Sequence, residues 1–127
     1  MTLFDIVPIV AAVIILGLVA ALVARRQVRW IIPACFSAGF AVWSLFAVLT
    51  EGPLGFWTEH VRNAWGNQIW MDLLLAVGMA LIWLVPAARA VGVRPLPWVA
   101  FTLATGSIGL CAFAARVLYL RDRAAAP

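Results

Sequence analysis

The sequence predicts an all-α integral membrane protein, a four-helix bundle with a short interfacial helix in its second loop, folded as one domain over residues 1–127. Three observations carry that prediction. Of the 127 residues 66% are hydrophobic and 11% charged, whereas soluble domains are about half apolar and roughly a quarter charged. Four apolar runs approach the length of about 20 residues that a helix needs to cross a bilayer. The runs are continuous and not alternating, which favours helices over a barrel, since lipid leaves no other way to satisfy the backbone. Intrinsic disorder is excluded by the same composition.

The first span is expected over residues 6–24, uncharged and ending at Arg25-Arg26-Gln27-Val28-Arg29. Its start carries Asp5 and no base, which is wrong for a cleaved signal peptide. The second span, 30–49, is uncharged and ends at Thr50-Glu51-Gly52-Pro53. The third, 69–88, holds one charge, Asp72, and stops at Arg89. The fourth, 98–120, also holds one, Arg116, and stops at Arg121-Asp122-Arg123. Pro8 and Pro33 fall in first helical turns, where a missing N–H costs little. Gly92 marks a helix stop.

Arginine placement sets the expected topology. With four spans, Arg25, Arg26, Arg29, Arg89 and Arg94 share one side. Arg62, Arg121, Arg123 and the more deeply placed Arg116 share the other with the acids and both chain ends. Basic residues in short loops stay cytoplasmic, so the sequence predicts an inner-membrane protein with both termini outside. The pI near 10.5 reflects arginines scattered over loops, without the basic helix or stacking platform of a nucleic-acid binder. The expected partners are the lipid bilayer, with anionic head groups against the arginines, and a second copy or a larger membrane complex. Nucleic acid is not among them.

No catalytic constellation, metal site or cofactor motif stands out. Cys35 and Cys111 lie at depths that differ by roughly 13 Å if both spans are straight, too far for a disulfide, so both are expected as apolar thiols. His60 is the only histidine, and with Glu59 and Glu51 it makes a thin metal set. Trp57, Val61 and Trp65 recur every fourth residue. On a short helix they form an apolar face in the head-group layer, an anchor or a lid that also carries His60.

Asp72 and Arg116 are the sharpest feature. Each lies about a turn inside its span, and antiparallel neighbours would bring them to one depth. Small residues share both faces (Ala76 and Ala80 on one, Thr105, Gly109 and Ala112 on the other), as at close membrane-helix contacts. A buried charge in lipid is costly unless paired. An Asp72–Arg116 ion pair is therefore expected, either stapling two helices or forming a polar site with Gln68 and Asn67.

Asn67-Gln68-Ile69-Trp70-Met71-Asp72-Leu73, Arg89-Ala90-Val91-Gly92, Trp98, the Gly106/Gly109 stretch and Leu118-Tyr119-Leu120-Arg121 resemble a small bacterial membrane-protein family, domain of unknown function 2834. The resemblance covers roughly the last three spans. It implies a compact multi-helix membrane protein and no particular activity. The expected function is that of a non-catalytic accessory or scaffold subunit. The alternative is a carrier or binder of a small lipophilic molecule, with its polar site at Asp72 and Arg116. An enzyme acting on a lipid would need more acids or metal ligands than this chain carries.

Overall fold

The computed structural model describes residues 2–24 and 26–125. Arg25, counted above among the first-loop bases, lies outside them. All regular structure among the described residues is helical: α1 (Leu3–Val23), α2 (Ile31–Glu51), α3 (Gly55–Val61), α4 (Ala64–Ala90), α5 (Pro95–Thr105) and α6 (Ser107–Ala124). Helices α1, α2 and α4 are long and apolar enough to cross a membrane.

Local chemistry explains the helix ends. α1 begins three residues before the expected start because Asp5 serves as a capping acceptor. The Thr2 backbone N–H and hydroxyl both donate to its Oδ2, at 2.7 and 2.9 Å, and its charge sits at the positive end of the helix dipole. α4 also begins early, because the Asn63 side chain accepts the Gly66 N–H at 2.8 Å and caps the first turn. It continues through Pro86 to Ala90, with Arg89 in the last turn, where a cation complements the dipole.

The largest departure from expectation is the fourth apolar run. Residues 98–120 do not form one span. The chain turns at Gly106, whose φ of 62° and ψ of −126° disfavour any residue with a Cβ, and α5 folds back on α6. Gly109 makes this possible. A Cβ there would lie 2.6 Å from the Thr102 Cα and 2.7 Å from the Phe101 carbonyl oxygen. The Thr105 hydroxyl ties the corner, donating to the Phe101 carbonyl at 2.8 Å and accepting the Gly109 N–H at 2.9 Å. The small residues Thr105 and Gly109 thus serve a contact inside the run itself, not one with α4.

The core follows from this hairpin. Phe113 is fully buried and stacks on Trp98, with ring centroids 5.7 Å apart and planes 11° apart. Ala88, Phe113 and Val117 form the buried centre, packed by Leu84, Val85, Val93 and Val99 among others. The end of α4, the start of α5 and the middle of α6 therefore meet at one place.

α6 also packs along α2, and the two run antiparallel. Ser37 on α2 donates to the Ile108 carbonyl at 2.9 Å, while Trp30 at the start of α2 meets Tyr119 edge-on at 5.4 Å. Pro33 is buried, and the small side chains of Ser37 and Ala41 follow along the same face, as close helix approach requires. α4 leaves the far end of α2 through α3 and runs back toward Trp30, so α4 and α6 point the same way. The described C-terminal residues consequently lie at the end where α2 starts. Phe4 at the start of α1 lies instead against Trp43, at 6.4 Å, roughly 20 Å along α2 from Trp30. The expectation that both chain ends share one end of the bundle fails for this reason: α6 turns back where a fourth crossing was expected.

α1 is the loosest element. It packs closely against no other described helix, and none of its residues is buried.

Candidate functional site

The expected ion pair does not form. Asp72 and Arg116 are both exposed, and the ion pairs among the described residues are Arg62–Glu59 and Arg121–Asp122, each at 3.3 Å. The reason is the hairpin. Arg116 precedes Val117, which packs with Ala88, and Asp72 lies roughly 24 Å up α4 from Ala88. With α4 and α6 parallel, the two charges occupy opposite halves of the molecule. Gln68 and Asn67 stay with Asp72 in the first turns of α4, all exposed, and no polar cluster with Arg116 exists.

The second loop does contain a short helix, α3, but the four-residue stripe is divided. Trp57 and Val61 belong to α3, whereas Trp65 follows the Asn63 cap and belongs to α4. All three are exposed. What holds α3 on α4 is Trp70, which sequence spacing did not single out. Its ring meets His60 at 4.8 Å, Phe56 at 6.3 Å and Trp57 at 6.5 Å. Phe56 and His60 lie one turn apart on α3, so both reach the same indole, an arrangement aromatic quadrupoles favour. The only signal for it was the position of Trp70 at the start of the expected third span, next to an aromatic loop.

His60 Nδ1 is engaged by the Phe56 carbonyl. A carbonyl partner requires a proton on that nitrogen and leaves Nε2 as the acceptor in the neutral ring. Beside it opens a cleft of about 180 Å³ lined by Glu59, Arg62, Asn63, Trp65, Gly66 and Ile69 as well as His60. Gly66 lies hard against the Glu59 carbonyl, with no room for a side chain. The Glu59–Arg62 pair is more than half exposed on both sides, so its contribution is small. The cleft joins an indole and an isoleucine to the exposed polar groups of Glu59, Arg62 and Asn63. A second groove of about 320 Å³ runs between the start of α1 and α2, lined by Leu3, Gly39, Val42, Trp43 and Phe46. Its lining is wholly apolar.

Among the described residues no three His, Cys, Asp or Glu side chains gather as a metal site. Both thiols are free. The antiparallel contact of α2 and α6 brings Cys35 and Cys111 to one level, correcting the expected 13 Å offset. Cys35 nevertheless lies about 200° around α2 from Ser37, which faces α6, and it is exposed away from that contact. Compared with known proteins, the chain matches no family model, no curated protein and no solved structure.

Proposed function

We propose that this chain is a non-catalytic accessory or scaffold protein of a bacterial inner membrane, with α1 as the element that engages its neighbours. The observation that carries the reading is the state of α1. A helix long and apolar enough to cross a membrane touches the rest of the chain chiefly through Phe4 on Trp43 and buries no residue. It contributes little to packing its own domain, so its worth lies in what it meets in the membrane. Gly17 and Ala21 stand one turn apart on it, the small-residue spacing that lets helices approach. A second copy or a larger complex is the expected partner.

In this reading α1, α2 and α4 cross the bilayer, α3 rests in the outer head-group layer, and the α5–α6 hairpin enters from the cytoplasmic side without crossing. The N-terminus is outside and the C-terminus inside, a revision of the two-ends-outside topology. Arginine counting supports it. Arg26, Arg29, Arg89, Arg94, Arg121 and Arg123 now fall on one side, and Arg62 with Asp5, Glu51 and Glu59 on the other, a far stronger positive-inside bias than four spans gave. A polar ligand site at Asp72 and Arg116 loses its support, because the two are apart.

The test is photocrosslinking in native membranes from a probe at Val13 on α1. Discrete protein adducts that disappear with Gly17→Leu/Ala21→Leu are expected. Adducts to lipid alone would overturn the proposed role.

A further inference from the structure

The hairpin gathers positive charge as well as apolar side chains. Arg89 follows Ala88, Arg94 follows Val93 and Arg116 precedes Val117, and those three neighbours belong to one apolar cluster. Arg29 precedes Trp30, which packs on Tyr119, and Arg123 lies over the Tyr119 ring at 5.6 Å. Arginines distant in sequence are thus hung around two adjoining contacts at one end of the molecule. Among the described residues the one ion pair at this end is Arg121 with its neighbour Asp122. Arg26, Arg29, Arg89, Arg94 and Arg116 have no acidic partner among the described residues, and all are exposed.

We propose that this end is a docking surface for anionic phospholipid, with the phosphodiester and head group held by several arginines at once. Charge complementarity is the first argument. Guanidinium groups bind phosphate oxygens through paired N–H donors, and Arg is less hydrated than Lys when it does so. The second argument selects lipid over an acidic protein or a nucleic acid. Trp30, Trp98 and Tyr119, residue types that favour the membrane–water boundary, sit among these arginines, and apolar helices run away from them on one side. A ligand with an anionic head and acyl tails matches both features together, whereas a soluble polyanion matches only the charges. Basic pockets between membrane helices recognise anionic lipid head groups in this way. The opposite end offers no such surface, because its single arginine, Arg62, is held by Glu59 at 3.3 Å.

The proposal rests on the membrane reading of α1, α2 and α4 but on neither the accessory role nor the orientation. The test uses the full chain in a neutral detergent. Native mass spectrometry follows addition of phosphatidylglycerol or phosphatidylcholine at equal concentration, with millimolar inorganic phosphate as a third arm. Phosphatidylglycerol adducts should exceed phosphatidylcholine adducts by about 25-fold or more, since each arginine near a surface contributes about fivefold and at least two engage the head group together. Arg89→Gln/Arg94→Gln/Arg116→Gln should abolish the preference, and Arg62→Gln should preserve it. Should the triple variant fail to fold by circular dichroism, Arg121→Gln/Arg123→Gln at the exposed end of α6 should still reduce the preference severalfold. Equal retention of the two lipids would overturn the proposal. So would a preference untouched by either set of arginine variants, or displacement by phosphate alone, which would mark a free-anion site. Loss of the lipid preference with α1 crosslinks intact would leave the accessory role standing.

Discussion

Trp98 and Phe113 stack with their ring centroids 5.7 Å apart, a contact that a straight helix over the same residues forbids, since it would hold their Cα atoms roughly 22 Å apart. From that single pair follow the reversal of α6, the convergence of α4, α5 and α6 at Ala88, and the separation of Asp72 from Arg116.

If the hairpin depends on close approach of its two helices, Gly109→Ala should disturb it. The new Cβ meets backbone atoms of Phe101 and Thr102 at 2.6–2.7 Å, and backbone yields less readily than a side chain. A loss of about 1–3 kcal/mol is expected, read as lowered thermal stability in detergent. Gly78→Ala in α4, where nothing lies within 4 Å, should be neutral or slightly stabilising.

Phe113→Ala should be the most damaging single truncation in the chain. The ring is fully buried between Trp98 and the Ala88–Val117 contact, and removing it leaves a cavity that a short hairpin fills poorly. The cost should be about 2–4 kcal/mol, below the usual soluble-core range because lipid weakens the transfer contribution. Leu103→Ala, at a position 71% exposed, should change stability little. Thermal unfolding of both variants side by side measures the difference.

Asp72→Asn and Arg116→Gln should act independently. With no ion pair between them, a double-mutant cycle on detergent stability should give additive changes within about 0.5 kcal/mol. A coupling well beyond that would bring the two charges back together.

The bounds of α1, α2 and α4 were legible to within about two residues because hydropathy reports apolar length, except at the starts of α1 and α4, where capping through Asp5 and Asn63 extended the helix by three and five residues. The break at Gly106 was not legible. A lone glycine is common in straight membrane helices, and neither hydropathy nor helical periodicity tells a residue that tolerates a helix from one that reverses it. Thr105 and Gly109 were read as part of a face toward another helix when, with Gly106, they form the corner itself. The candidate ion pair failed for that reason alone, because its matched depth assumed four straight crossings. The aromatic packing of α3 on Trp70 was half visible. Spacing located a short helix but drew Trp65 into it, since the Asn63 cap that starts a new helix interrupts no apolar pattern.

The reversal of α6 is most directly tested by which face of the membrane the C-terminal end occupies. Single cysteines at Gln27, Thr58 and Ala125, in a Cys35→Ala/Cys111→Ala background, are to be labelled with an impermeant maleimide from either side of sealed vesicles. Gln27 and Ala125 should label from the same side, the one carrying the arginines, and Thr58 from the opposite side. Labelling of Ala125 together with Thr58 would contradict the hairpin and restore a fourth crossing.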